Sequence, residues 1–457
     1  MYPILSKTTY MCGLQCQKRL FLHKKHPSWA NPEDEETQSI FQAGTDVGVL
    51  AQQLFPGGVN AQEGERWHNQ VTAKRTAELI PNHEVIYEAA FIYNEVVCGV
   101  DILVRKGHEY YAFEVKSSAS VKPQHIEDAA LQYYVLSNVG INVVDFSIVF
   151  LNTHYVKIGD LSIKDLFKAE SVLERILDKQ DFIGNNISTF KKLLRQNQIP
   201  DIEMGSHCNT PYACNFSNYC SSLIPQEEEE IEEFIELDAS ITIDKDTWLD
   251  YTKDWEYPMY FFDFETVTYG VPIFDFSKPY QKIAFQYSLH VQFEPNGELI
   301  HLEYLGDGVC DPRLDLVHQM IRDLGSSGSI VTWNMTFEMG VIKNLANDFP
   351  EFEEELNAIY NRIVDLMPPF RPGRAIYSEA FRGSYSLKNV LPIMVPELSY
   401  KDLTIQEGGT ASILYGQMKD LDVLENEQLR KDLLEYCHLD TLAMVKIWEK
   451  VMETGRK

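Results

Sequence analysis

Two hydrophobic periods alternate along this chain. Short apolar runs with period-two patterning predict strands over residues 85–93, 96–104, 110–117, 143–152, 260–266 and 329–334. Helical spacing of Ile40, Phe41, Val47, Leu50, Ala51 and Leu54 predicts a helix over 38–57, ended by Pro56-Gly57-Gly58. Ser6 is placed to cap a first helix. Further helices are expected over 66–80, over 125–136 with a stop near Gly140, and over most of 160–195. Leu433, Leu434, Leu442, Val445 and Ile447 predict another near the C-terminus. The expected class is α/β.

The strand at 260–266 carries chemistry. Asp263 and Glu265 are spaced i, i+2, which puts both carboxylates on one face. Like charges on one face of an apolar strand repel and lose hydration unless a cation neutralises them. A divalent metal pair is the usual neutraliser, and phosphoryl chemistry its usual purpose. Alone, the pair also fits a strand end turned to solvent. Downstream residues change that balance. Asn334 and Glu338 stand four apart at a strand-to-helix turn, which can return a carboxylate to the same pocket. Tyr436 and Asp440 stand i, i+4 on the C-terminal helix, one turn apart on one face. Asp365 reads as a supporting acid or a helix cap, and Lys388 as a solvated lysine or a phosphate contact.

A second constellation lies earlier. Residues 96–104 and 110–117, joined by a turn at 105–109, predict a hairpin that sets Asp101 near Glu114. Glu114 and Lys116 share a face. Two acids and a lysine converging from buried strands are costly as structure alone. As chemistry, Asp101 and Glu114 bind a metal and Lys116 polarises water or stabilises a phosphate; the plainer reading is a surface Glu–Lys pair on an edge strand. His125, Asp128 and Gln132 form a polar stripe on the next helix that either faces these carboxylates or faces solvent.

Composition bounds the rest. The 457 residues suggest two to three domains, and 44% hydrophobic content is ample for packed cores. No apolar run approaches the ~20 residues of a membrane span, and residues 1–7 lack a signal-peptide core, so a cytoplasmic protein without membrane contact is expected. The net charge of −28 argues against a broad basic face and for a narrow binding region whose positive charge comes from metal. Part of that charge is the run 226–233, read as a solvated linker between domains. Among eight cysteines, Cys208, Cys214 and Cys220 are evenly spaced in a loop and point to metal or cluster ligation. A fourth ligand is needed: Cys16 first, then Cys12, then His207, around zinc or a 4Fe–4S cluster.

Asp263, Glu265, Glu338, Tyr436 and Asp440, in this order over about 255–457, resemble the DnaQ-like 3′→5′ exonucleases of RNase H-like fold with Tyr-x-x-x-Asp in the third motif. The resemblance implies that the four carboxylates hold two ions, Mg²⁺ or Mn²⁺, and that Tyr436 orients the attacking water. Glu338 stands where that family usually has Asp, and His438 is too close to Asp440 for the family's His variant. Residues 1–222, through Cys16-Gln17-Lys18-Arg19-Leu20, Asp101, Glu114-Val115-Lys116, Gln132 and the three-cysteine tail, resemble the RecB-like PD-(D/E)XK nucleases. The likeness is to their iron–sulfur branch, which includes CRISPR-associated four-cysteine nucleases and the AddB nuclease domain. It implies a restriction-endonuclease-like fold and a 4Fe–4S cluster on Cys16, Cys208, Cys214 and Cys220 that ties the domain's ends together. Two departures stand: Gly48 replaces a metal-ligand His, and Cys208 and Cys214 are six apart where the family places them closer.

The expectation is therefore two domains, 1–222 and 255–457, joined by an acidic 223–254. They would form a metal-dependent nuclease acting on nucleic acid, DNA with single-stranded ends in preference to RNA. An RNA exonuclease, or an N-terminal domain that only grips DNA ends, are the alternatives; protein partners are not indicated.

Overall fold

A computed structural model describes residues 5–32, 35–224 and 241–454. The chain divides into two compact units between Glu228 and Glu229, with Gly270–Tyr280 returning to the first. The acidic run 226–233 lies outside the described residues. Both units mix helices with a sheet, as the alternating periods predict.

In the first unit the elements run β1 (Leu5–Ser6), α1 (Lys7–Gln15), α2 (Gln17–Lys25), α3 (Glu35–Ala51), β2 (Val59–Asn60), α4 (Gln70–Leu79), β3 (Val85–Tyr93), β4 (Val96–Lys106), β5 (Glu109–Lys116), α5 (Pro123–Asn138), β6 (Val143–Leu151), α6 (Ile163–Leu166), β7 (Phe167–Ser171), α7 (Leu173–Leu177), α8 (Gln180–Leu194) and α9 (Ser217–Ser222). The sheet order is β2-β3-β4-β5-β6-β7, with β1 against β4. β3–β4–β5 is an antiparallel meander, and α5 carries the chain from β5 into the parallel β6. Ile126, Ala129, Ala130, Leu131, Val135 and Leu136 of α5 are buried against the sheet with Ile183, Ile187 and Phe190 of α8. Ser6 caps α1 as expected: its hydroxyl accepts from Thr9 N–H at 3.3 Å. The helix expected over 38–57 ends at Ala51 and gives way to a tighter turn at Gln52–Leu54.

Residues 160–195 are largely helical as expected, in α6, α7 and α8, with the short strand β7 set among them and paired antiparallel with β6. Its Lys168–Ser171 are exposed, so no apolar alternation marked it; the open edge of β6 recruits it through backbone pairing, with Phe167 buried against Val149 and Leu151.

The second unit follows as β8 (Thr242–Ile243), α10 (Lys245–Thr252), β9 (Met259–Thr268), β10 (Lys282–Gln292), β11 (Leu299–Leu305), α11 (Arg313–Leu324), β12 (Ser329–Thr332), α12 (Met335–Asp348), α13 (Glu353–Tyr360), β13 (Ile363–Asp365), β14 (Ile376–Tyr377), α14 (Leu387–Met394), α15 (Gly408–Gln417) and α16 (Val423–Thr454). Its five-stranded sheet has the order β11-β10-β9-β12-β13. β9 is central, antiparallel to β10 and parallel to β12. Gly328 sets the close approach of β12: its φ is +84°, and a Cβ there would lie 2.0 Å from the Pro258 carbonyl oxygen.

Period two along β9 sorts its side chains onto two faces. Tyr260, Phe262 and Phe264 are buried with Leu316, Val317 and Met320 of α11 and Val341, Ile342 and Leu345 of α12. Phe261, Asp263 and Glu265 therefore face the other side, where α15 and α16 pack. Among the described residues no helix is long and apolar enough to cross a membrane.

Candidate active sites

In the second unit the five predicted residues come from one strand and two helices. Asp263 and Glu265 stand on β9, Glu338 on the first turn of α12, and Tyr436 and Asp440 on α16. Asn334, at φ +86°, breaks the chain out of β12 and starts α12. Asp365 holds that turn: its Oδ1 accepts from the N–H of Asn334 and of Met367, each at 3.0 Å. Its charge also raises the pKa of Glu338, so it bears on the site as well as on the turn.

Glu265, Glu338 and Asp440 are buried and Asp263 is half-buried. Burial raises the pKa of Asp263 well above the carboxylate range, and the charges of Asp440, Glu338 and Glu265 raise it further. Glu265 is raised by burial and then by Asp440. Asp440 is pushed up to about 6 by burial, against the hydrogen bonds it receives from Tyr400 and Tyr436. Glu338 is pushed up to about 8, again by burial first, and its Oε2 is buried without a hydrogen-bond partner. Four carboxyls thus share one field, which costs free energy in the absence of cations. Lys388 is the nearby cation that opposes it, its Nζ lying 5.3 Å from the ring centre of Tyr436 and 5.6 Å from that of Tyr400.

Tyr436 and Tyr400 are buried phenols whose pKa values burial and Asp440 raise, so both stay protonated. Tyr400 donates to Asp440 Oδ1 at 2.5 Å. Gly408 opens α15 beside the pocket; a Cβ there would lie 3.6 Å from Glu265 Oε2 and 3.8 Å from the Tyr436 hydroxyl. Cys437 Sγ is 4.0 Å from Asp263 Oδ2. His438 does not face these carboxylates; its ring lies against those of His290 and His301.

In the first unit, Asp101 on β4 and Glu114 and Lys116 on β5 meet the α5 side chains Asp128 and Gln132. Asp101 Oδ2 accepts from Val115 N–H at 2.6 Å, which ties it across the hairpin. Lys116 Nζ donates to Glu114 Oε1 at 2.7 Å and to Asp128 Oδ2 at 2.5 Å. Gln132 Nε2 donates to Glu114 Oε2 at 2.8 Å. A second lysine enters from α1: Lys7 Nζ lies 2.7 Å from Glu114 Oε1 and 3.6 Å from Asp128 Oδ2. Burial works to raise the Glu114 pKa, but Lys116 and Lys7 outweigh it and hold the carboxyl well below its usual range. Asp101, in contrast, is raised by burial and by the Glu114 charge. The polar stripe on α5 divides: Asp128 and Gln132 face the hairpin, while His125 Nδ1 turns back to accept from Lys122 N–H at 3.2 Å.

The chain ends of this unit meet. Gln15 Nε2 donates to the carbonyls of His207 (2.8 Å) and Tyr212 (2.7 Å), and Arg19 Nε to Asn215 Oδ1 at 3.2 Å. Cys16, Cys208, Cys214 and Cys220 line one small cavity beside Lys18, Arg19 and His207; all four are free thiols. Cys12 is buried in the main core instead. Four thiols are the donor set of a soft metal or cluster. Among the described residues, the groups with all donor atoms within 4.8 Å of one another are His290–His301–His438 and Asp263–Glu265–Cys437. The thiols are spread more widely than a single ion requires.

Lys7, Tyr400 and the histidine pair His290–His301 had no signal in the sequence, since each is distant from the motif it joins. Asp128 had one, its helical spacing to Gln132, but as one member of a polar stripe it also fitted a solvent face.

Residues 260–386 match the family described as Domain of unknown function (DUF2779). The chain is similar to an uncharacterized protein, MG366, of Mycoplasma genitalium, with 27% identity over 222 residues that make up 44% of this chain and 32% of that protein. It is also similar to the uncharacterized protein UU173 of Ureaplasma parvum, at 26% identity over 41% of this chain and 30% of that protein. The Mycoplasma pneumoniae homolog of MG366 matches at 27% over 41% and 31%. The chain spans about a third of the length of these curated relatives.

Proposed function

We propose that the second unit is a metal-dependent 3′→5′ exonuclease of RNase H-like type, acting on DNA ends. The observation that carries this reading is the gathering of Asp263, Glu265, Glu338 and Asp440 into one buried field, with Glu338 Oε2 left without a partner. A pocket of raised, mutually repelling carboxyls fits divalent cations. Asp263, Glu265, Glu338 and Asp440 would hold them. When bound, two such ions supply the positive charge that these residues lack and that a phosphodiester under attack requires. The residues of the chain do the positioning. Tyr436, held protonated, keeps its hydroxyl for Asp440 and for orienting a water, and Tyr400 fixes the Asp440 carboxylate from the other side. Lys388, held by the Gln406 carbonyl and Glu407, brings a cation to the rim.

For the first unit we propose a RecB-like nuclease fold closed by a 4Fe–4S cluster on Cys16, Cys208, Cys214 and Cys220. Four sulfurs on one zinc ion at ~2.3 Å would sit less than ~4 Å apart, and the wider spread of these thiols suits a cluster. The cluster, when bound, supplies a covalent tie between the unit's ends. A second reading of this unit has specific support. Lys7 and Lys116 already neutralise Glu114 and Asp128, which favours a unit that grips nucleic-acid ends over one that cleaves them.

The test is single-turnover digestion of a 5′-labelled DNA strand with Mg²⁺ or Mn²⁺, in a Lys116→Ala background that silences the first unit. Asp263→Asn is expected to slow release of 5′-phosphate mononucleotides by at least ~10³-fold, the scale of losing a principal electrostatic stabiliser. Undiminished digestion by Asp263→Asn would overturn the assignment.

A further inference from the structure

Beside the carboxylate pocket lies a set of side chains that the exonuclease reading does not use. His290 on β10 pairs directly with His301 on β11, so both rings leave the sheet on one face. His438 of α16 comes down onto them. Ring centres are 4.6 Å apart for His290–His301, 4.8 Å for His290–His438 and 4.3 Å for His301–His438. One donor nitrogen from each ring lies within 4.8 Å of the others. We propose that His290, His301 and His438 form a separate binding site for one divalent transition-metal ion, zinc, that fastens α16 to the sheet.

The hydrogen bonds around the rings prepare them for this. Thr441 Oγ1 lies 2.8 Å from His290 Nδ1, 2.7 Å from Ser288 Oγ and 3.1 Å from the His438 carbonyl oxygen. Ser288 Oγ lies 3.0 Å from His301 Nε2. One ring nitrogen of His290 and one of His301 thus meet a hydroxyl, which leaves the other nitrogen of each ring for a metal. Hydroxyl partners that fix imidazole tautomers are the outer support that zinc-binding histidines ordinarily have.

Chemistry selects the ion. Imidazole nitrogens suit zinc and its neighbours, whereas Mg²⁺ prefers oxygen ligands. Zn–N bonds of ~2.0–2.1 Å place tetrahedral ligand atoms ~3.3–3.4 Å apart, so small side-chain rotations would close the present spacing. His290 is buried, but His301 and His438 are half-buried, which leaves solvent access and a fourth position for water. Because His438 is two residues before Asp440, the ion would steady the helix turn that carries the Asp440 carboxylate. The site stands whether or not the neighbouring carboxylates prove to be a nuclease centre.

The test uses the full chain, stripped with chelator and titrated with Zn²⁺ or Co²⁺ in excess Mg²⁺. His301→Ala and His438→Ala are each expected to bind one equivalent of zinc fewer than the unaltered chain. With Co²⁺ they should lose a weak d–d absorption while any thiolate charge-transfer band from the cysteines persists. An unchanged zinc equivalent in both variants overturns the proposal, as does a loss confined to the thiolate band. The unaltered chain gives a second reading that no folding defect can blur. With nitrogen-labelled histidine, zinc should shift the ring signals of three of the twelve histidines, and a shift of fewer than three sinks the site.

Discussion

The two units treat buried carboxylates in opposite ways. In the first, Glu114 is surrounded by its own counter-charges, with Lys7 and Lys116 each 2.7 Å from Oε1 and Gln132 on Oε2. In the second, the charges of Asp440, Glu338 and Glu265 push the buried Asp263 carboxyl further up, and Lys388 is the cation set against them. The same side-chain chemistry is pinned down in one place and left in tension in the other. A carboxylate already paired with lysine gains little from an added cation. One that is buried beside other carboxylates gains a great deal. On the proposed reading, the stronger demand for a divalent ion lies in the second unit.

The largest effect should come from breaking the compensated site. Glu114→Ala leaves Lys7 and Lys116 facing each other and Asp128 in a mostly buried cluster. Loss of one partner from a buried ion pair costs about 3–5 kcal/mol. Hydrogen exchange at the β4 and β5 amides should register that loss. A change below about 1 kcal/mol there would mean the lysines are not held by Glu114.

Next comes a pH experiment on the uncompensated site. Glu338 is pushed up to about 8, above the ~4.3 of an unfolded Glu. A carboxyl raised in this direction stabilises the fold while protonated; its contribution is complete below the unfolded pKa and is lost as pH rises through about 8. Metal-free Glu338→Gln, which cannot ionise, should match the unaltered chain near pH 5 and exceed it by roughly 2–4 kcal/mol above pH 9. Thermal melts of chelator-treated protein across that range check this. Mn²⁺ should restore the unaltered chain at high pH and leave the variant where it was. Parallel pH curves for the two proteins would remove the tension that distinguishes this site.

Tyr436→Phe tests orientation rather than charge. It keeps the ring between Lys388 and the pocket and removes the hydroxyl, so digestion should slow roughly 10- to 100-fold, well short of the Asp263→Asn loss. Equal losses in the two variants would show that Tyr436 does more than orient water.

The smallest effect is expected at Gly48, inside α3, where an added Cβ meets open space. Gly48→His should be tolerated and gain about 0.2–0.5 kcal/mol, the difference in helix propensity between glycine and histidine. If the first unit is a nuclease short of one ligand, the same change should tighten Mn²⁺ binding measured by calorimetry. Unchanged affinity would favour the end-gripping reading.

Much of this molecule is decided locally and is visible in the chain. Alternation along 260–266 places Asp263 and Glu265 on one face whatever packs above them, because side chains on a strand repeat every two residues. Tyr436 and Asp440 share a helix face for the same kind of reason, and Ser6 caps α1 through contacts three residues away. The strand at Val85–Tyr93 appears where its apolar pattern predicts it.

What the sequence could not state is which distant groups meet. Lys7 is 107 residues from Glu114, yet its ammonium forms the second ion pair of that site. Tyr400 reaches Asp440 across a loop without a motif, and His290, His301 and His438 meet only because β10, β11 and α16 converge. Even β7 forms against its own pattern, since the edge of β6 supplied partners that residues 167–171 do not advertise. Periodicity and capping act through bonds and turns a few residues long. Charge compensation, pairing at sheet edges and metal-ready clusters depend on tertiary proximity, which nothing in the local sequence encodes.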